Sequence, residues 1–129
     1  MTVESRLRIL VVDDESLIAM ALNDQLEYLG HEVVATASTA SEALVLAELH
    51  QPDMVLMDVY LGGGMDGLEA AARINATRPT PIVILTGFPD KALIERGQAC
   101  GVVAHLVKPI DMQDLQEAVE HGWTAFQSR

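Results

Sequence analysis

Short apolar runs alternate along this chain with longer stretches in which apolar side chains recur every three or four positions. Residues 8–12 (RILVV), 32–37 (EVVATA), 54–57 (MVLM), 82–85 (IVIL) and 102–107 (VVAHLV) read as strands, each bounded by turn residues. A run such as MVLM, apolar at every position, points to a strand covered on both faces, as in a parallel sheet. The intervening segments read as helices. Residues 16–29 place Ile18, Leu22, Leu26 and Leu29 on one face, and Gly30 ends that helix. Residues 41–50 follow polar Ser38 and Thr39, and residues 67–77 are alanine-rich and stopped by Arg78, Pro79 and Pro81. Residues 90–100 begin after Pro89 and end at Gly101, and Asp111 caps a last helix carrying Leu115, Val119, Gly122 and Phe126 on one side. Residues 1–7 read as a loose polar lead-in.

Strand followed by helix, five times with short connections, calls for an α/β fold: a five-stranded parallel sheet, doubly wound, with helices on both faces. At this size the expected strand order is 2-1-3-4-5, with a site at the carboxyl ends of the strands, beside the switch between strands 1 and 3. No linker or repeat divides the chain, so residues 1–129 are expected to form a single domain with an ordered core from about residue 8 to 126.

Composition narrows the function. Acidic residues outnumber basic ones 19 to 8, a net charge of −11, which argues against direct binding to nucleic acid and means that a polyanionic substrate needs a metal ion to hold it. No apolar run approaches the roughly 18 residues of a membrane span, and residues 1–8 lack the apolar stretch of a signal peptide. The single Cys100 cannot form an internal disulfide, so a cytoplasmic setting is expected. Only 4% of residues are aromatic, so the core is built from Leu, Val, Ile, Ala and Met.

The fold brings together the residues just past strands 1, 3, 4 and 5: Asp13 and Asp14, Asp58, Thr86, and Lys108. Gathered carboxylates repel one another and demand a proton or a cation. Mg²⁺ answers that demand, because it takes one or two carboxylates and keeps open positions for phosphate oxygens. The carboxylate facing a metal-held phosphoryl donor is a nucleophile that forms an acyl phosphate. Lys108 is the cation placed to neutralise the oxygens, and Thr86 offers a hydroxyl donor.

ILVVDDE, VLMDVYLGGGMDG, IVILTG and LVKP, in this order and at strand ends, resemble the receiver domain of bacterial two-component response regulators, the flavodoxin-like, CheY-like fold, from about residue 8 to 126. The resemblance implies a phosphorylation switch rather than an enzyme, catalysing only its own gain and loss of phosphate. Asp58 would be phosphorylated by a histidine kinase or phosphotransfer protein. Asp14 and Asp58 would ligate Mg²⁺ with the Tyr60 backbone carbonyl, while Asp13 acts through water. Thr86 and Lys108 would contact the phosphoryl group, and Lys108–Pro109 would be a cis peptide. Helix 1, with Leu17 and Met20 turned outward, would dock the donor, and the face made by helix 4, strand 5 and helix 5 would engage a downstream output protein or domain.

Several positions depart from the family pattern or carry two readings. Leu61-Gly62-Gly63-Gly64 adds one residue after the acceptor; it either permits close backbone approach to the metal or is a loosely ordered insertion. His105 stands where the family commonly has an aromatic ring; we take it as a surface histidine, with a pH-sensitive switch as the alternative. Tyr60 and Phe88, each two residues past a site residue, are expected to flank the pocket mouth and hinder the water that hydrolyses the acyl phosphate. Trp123 is taken as packing, Cys100 as a small buried hydrophobe, and His31, His50 and His121 as surface residues. The charges of Asp90, Lys91, Glu95 and Arg96 are taken as a solvated face. A flavodoxin-like electron carrier fails on chemistry, since Asp13, Asp14 and Glu15 would repel the cofactor's phosphate. A pseudo-receiver, acting as a phosphorylation-independent interaction module, remains the alternative. The chain is either a stand-alone receiver or the N-terminal part of something longer.

Overall fold

A computed structural model describes residues 6–62 and 64–128. The elements run β1 (Arg8–Val12), α1 (Ser16–Tyr28), β2 (Glu32–Ala37), α2 (Ala40–His50), β3 (Met54–Asp58), α3 (Gly67–Thr77), β4 (Ile82–Thr86), α4 (Lys91–Ala99), β5 (Val102–Val107) and α5 (Met112–Gln127). The five strands form one sheet in the order β2-β1-β3-β4-β5, and every pairing is parallel. This is the expected doubly wound arrangement.

Successive residues of a strand face opposite sides of a sheet, and that alternation divides the core in two. Leu10, Val12, Val55, Met57, Ile82 and Ile84 pack toward Ala43 and Ala47 of α2, Leu68 and Ala71 of α3, and Leu93 of α4. Ile9, Val11, Met54, Leu56, Val83 and Leu85 pack toward Leu22 and Leu26 of α1 and Leu115 and Val119 of α5. β3 and β4 are buried along their whole length, whereas β2 and β5, at the two edges, are half exposed. Three strands therefore deliver their last residues to a fixed position. β3 lies between β1 and β4, with Val12 opposite Met57 and Asp58 opposite Leu85.

Four helices begin on a side-chain cap: Thr39, Asp66, Asp90 and Asp111 each accept a hydrogen bond from a backbone N–H three residues on. Each such cap contributes about 1 kcal/mol. α1 begins differently. Asp13 accepts from the Glu15 N–H at 2.9 Å, which turns the chain sharply out of β1 and leaves Asp14 exposed at the rim.

The structure adjusts several expectations. Residues 1–5 lie outside the described residues, but Leu7 belongs to the core rather than to a lead-in: its carbonyl accepts from the Glu32 N–H, and its own N–H donates to His31 Nδ1 at 3.1 Å. His31 is thereby a half-buried structural residue, not a free surface one. The charges of α4 are solvated as expected, but Asp90 also caps the helix and Arg96 pairs with Asp66. Cys100 is only partly buried, against the core cluster shared by α2, α3 and α4. The expected looseness of the glycine insertion falls on Gly63, which lies outside the described residues. Trp123 does pack, partly buried on the α1/α5 side, with its ring 6.0 Å from that of Phe126.

Candidate functional site

At the carboxyl edge of the sheet, side chains that ought to be in water are buried. Among the described residues the buried polar ones are Asp13, Asp58, Thr86 and Thr80, and the first three meet at this edge. Asp58, the last residue of β3, is only 4% exposed. One oxygen from each of Asp13, Asp14 and Asp58 can be chosen so that all lie within 4.8 Å of one another. Lys108, just past β5, reaches into them: its Nζ lies 2.9 Å from Asp58 Oδ2, 3.3 Å from Asp13 Oδ2 and 3.9 Å from Glu15 Oε1. Its backbone N–H bonds to the Thr86 carbonyl at 2.9 Å, so the β4–β5 ladder itself sets the origin of that side chain. The Lys108–Pro109 peptide bond is cis.

Thr86 Oγ1 accepts from the Phe88 N–H at 3.0 Å, which leaves the hydroxyl hydrogen to donate elsewhere. Asp58 Oδ1 accepts the Tyr60 N–H in a long bond of 3.3 Å. The two short turns set Tyr60 and Phe88 at the rim, with rings 69% and 72% exposed. His105 is not part of this cluster. It is exposed on β5 and lines an open groove of about 680 Å³ between α4, β5 and α5, together with Ile94, Asp114, Glu117 and His121.

Burial pushes the Asp58 carboxyl up. The Lys108 hydrogen bond opposes that and the charge of Asp13 reinforces it, leaving the group above its ordinary value. Burial alone would pull Lys108 down, but the hydrogen bond and charge of Asp58, with the charge of Asp13, outweigh it and hold the ammonium above its ordinary value. One oxygen, Asp13 Oδ2, is buried with no hydrogen bond although the ammonium is near. An all-carboxylate donor set, with one buried oxygen met only by a shared ammonium, fits a hard divalent cation, which prefers oxygen ligands.

Two features of the site were not singled out from the sequence. Gly67 opens α3 with its N–H on the Val59 carbonyl at 2.8 Å, and a Cβ there would collide with the Asp58 carbonyl oxygen. Only a bare Cα lets α3 start so close to Asp58. The second is Glu15, whose carboxylate shares Lys108. Its signal was the third acid of the DDE run, but spacing alone does not say which acid faces the lysine.

The model of the response regulator receiver domain matches residues 9–120. The chain belongs to that family. Among relatives, the transcriptional regulatory protein PdtaR of Mycobacterium tuberculosis is 44% identical over 119 residues, which cover 92% of this chain and 58% of that protein. This receiver domain thus spans a little over half the length of that relative. The signal receiver domain of a modulated diguanylate cyclase from Desulfovibrio desulfuricans G20 superposes with a TM-score of 0.87 at 31% identity, covering 96% of this chain and 98% of the other. A CheY-like response regulator receiver domain protein from Methanospirillum hungatei JF-1 gives a TM-score of 0.85 at 29% identity, with coverages of 96% and 98%. Among the described residues no helix is long and apolar enough to cross a membrane.

Proposed function

We propose that this receiver domain accepts a phosphoryl group on Asp58 from a histidine kinase or phosphotransfer protein, and that the modified state changes what its surface binds. The observation that carries the reading is the Lys108 ammonium 2.9 Å from Asp58 Oδ2, at a strand end shared with Asp13 and the Thr86 hydroxyl. Asp14 and Asp58 would hold Mg²⁺ through their carboxylates, with the Tyr60 backbone carbonyl as a further oxygen and Asp13 acting through water. When bound there, Mg²⁺ supplies a Lewis acid that offsets charge on the phosphoryl oxygens.

The chain's own residues do the rest. An Asp58 carboxylate oxygen attacks phosphorus and forms a P–O bond. The P–N bond of a donor phosphohistidine breaks, its electron pair stays on the leaving imidazole nitrogen, and that ring takes up a proton from water. Lys108 then faces an added dianion rather than a bare carboxylate and follows it. The Thr86 hydroxyl hydrogen is free to donate to a phosphoryl oxygen, and moving it disturbs the Phe88 N–H bond at the start of the β4–α4 loop. α4 is lightly anchored, with Leu93 and Gly97 as its buried residues, so this end of the fold is suited to a two-state shift.

Exposed Leu17 and Met20 on α1, beside a cavity of about 250 Å³ lined by Leu17, Lys108, Pro109 and Ile110, provide an apolar docking surface for the donor. The α4–β5–α5 groove is the surface for the output partner, and residues 1–129 act as one domain. Incubation with acetyl phosphate and Mg²⁺ should add one phosphoryl mass to the wild type and none to Asp58→Asn. Wild-type protein that gains no such mass from any donor would overturn the reading in favour of a phosphorylation-independent module.

A further inference from the structure

Arg96, in the last turn of α4, reaches across to the residue that caps α3. Its Nη1 lies 2.9 Å from Asp66 Oδ2, and its Nη2 lies 3.1 Å from Asp66 Oδ1. Two nitrogens on two oxygens make a fork. Exposed ion pairs generally contribute little, but bidentate guanidinium–carboxylate geometry is where that rule is weakest. Asp66 also accepts the Glu69 N–H at 2.8 Å, so the same carboxylate closes the first turn of α3. Burial alone would raise Asp66; the Arg96 hydrogen bond and the Glu69 N–H outweigh it and hold the carboxyl below its ordinary value. Glu69, the nearest rival acid, is occupied by Arg73 at 2.8 Å.

What the fork holds is the end of the phosphoacceptor loop. The first residue of α3, Gly67, donates its N–H to the Val59 carbonyl at 2.8 Å and presses its bare Cα against the Asp58 carbonyl. The chain of contact therefore runs from Arg96 to Asp66, through the first turn of α3, and onto the two residues that precede Tyr60. Between Tyr60 and Asp66 the loop is held by buried Leu61 and partly buried Met65, and the glycine run between them, Gly62 to Gly64, adds no side-chain anchor.

We infer that Arg96 is a positioning residue: by clamping Asp66 from α4 it fixes the segment carrying the Tyr60 carbonyl, and so ties Mg²⁺ affinity to the position of α4. This rests on the reading of the site given above. It adds a mechanical link between the acceptor loop and α4 that bypasses Thr86.

Charge gives a clean test. Asp66→Asn keeps a good cap but removes a negative charge, whereas Arg96→Gln removes a positive one. If the pair acted on the metal only through space, Arg96→Gln would tighten Mg²⁺ binding and Asp66→Asn would weaken it. A brace predicts that both weaken it. Mg²⁺ titrations followed by amide chemical shifts should show each single variant with a dissociation constant raised about threefold, less than the roughly 10- to 100-fold lost with a direct outer-shell partner. The double variant should be no weaker than either single, and Arg96→Lys, which keeps one prong, should fall between. Opposite shifts in the two singles, or no shift in either, would overturn the inference.

A second arm needs no metal. Hydrogen exchange at the Gly67 and Tyr60 amides should speed up in both variants, while that of Ile74 near the far end of α3 stays put. Unchanged exchange at Gly67 overturns the brace by itself. Wild-type protein that takes up no Mg²⁺ sinks the reading of the site instead, and the exchange arm then decides the brace alone.

Discussion

Lys108 Nζ sits 2.9 Å from Asp58 Oδ2 and 3.3 Å from Asp13 Oδ2, so one ammonium answers two carboxylates buried at the same strand ends. Any divalent cation on those acids must share them with that positive charge. Replacing Lys108 with Met keeps the length of the side chain and removes the competitor. Mg²⁺ should then bind about fivefold tighter or more, as expected for charges separated by a few ångströms in a partly buried site. The same variant should respond poorly to phosphorylation, because nothing pulls Lys108 after the new group. Calorimetric Mg²⁺ titration checks the first outcome. Comparison of α4 amide shifts with and without beryllofluoride checks the second. Weaker Mg²⁺ binding in Lys108→Met would show that the lysine organises the acids rather than competing for them.

Burial keeps the Asp58 carboxyl above its ordinary value of 3.8, despite Lys108. The folded state therefore holds this proton more tightly than the unfolded chain does. The stability that Asp58 contributes is complete below pH 3.8 and is lost as pH rises through the raised folded value. An amide at this position never ionises. In chelator, Asp58→Asn should gain stability over wild type as pH rises above 4, and the gap should level off near neutrality. Urea midpoints at a series of pH values measure it. A gap that shrinks with rising pH would mean that Lys108 stabilises the carboxylate more than burial destabilises it.

Tyr60 and Phe88 stand two residues beyond Asp58 and Thr86, each placed by a short turn onto its site residue. Both residues are mostly exposed, so on the proposed reading they would obstruct the pocket mouth rather than seal it. Removing both should admit water more freely and shorten the life of the acyl phosphate by about two- to fivefold, a modest effect in keeping with partial exclusion of solvent. Loss of phosphoryl mass with time, in Tyr60→Ala/Phe88→Ala against wild type, is the measurement. Equal lifetimes would reduce the two rings to ordinary surface residues.

Much of this fold was legible because strand and helix periods alternate cleanly, and because β1, β3 and β4 are apolar at nearly every position, as only buried parallel strands can be. Asp13, Asp58, Thr86 and Lys108 were legible for the same reason: each ends a strand or follows one directly, and topology alone makes them neighbours. What could not be read depends on side-chain reach. Arg96 and Asp66 are 30 positions apart on different helices, with no periodicity to relate them. Leu7 looked like tail because its polar neighbours hid a single core residue, and His31 looked free because its partner is a backbone N–H. Asp90 lies on the exposed surface as expected, and it also caps α4, a role that a Pro–Asp step ahead of an apolar turn signals.

Gly67 is where the packing of α3 meets the chemistry of Asp58. A Cβ at this position would overlap the Asp58 carbonyl oxygen and crowd Met57, and backbone cannot step aside as a long side chain can. Gly67→Ala must either push α3 outward or shift the end of β3. The first breaks the Gly67 N–H bond to Val59, and the second moves Asp58 itself. Stability should fall by about 1–3 kcal/mol, the range expected of overpacking. The effect on the site should exceed the effect on the fold. At a temperature where the variant remains folded, Mg²⁺ affinity and phosphoryl uptake should both drop, while far-ultraviolet circular dichroism stays native. Gly97→Ala is the matched control: its Cβ would meet only the Val102 side chain at 3.4 Å, so it should cost far less and leave Mg²⁺ binding alone. If Gly67→Ala proves no worse than Gly97→Ala, the close approach of α3 to Asp58 is not what holds that carboxylate in place.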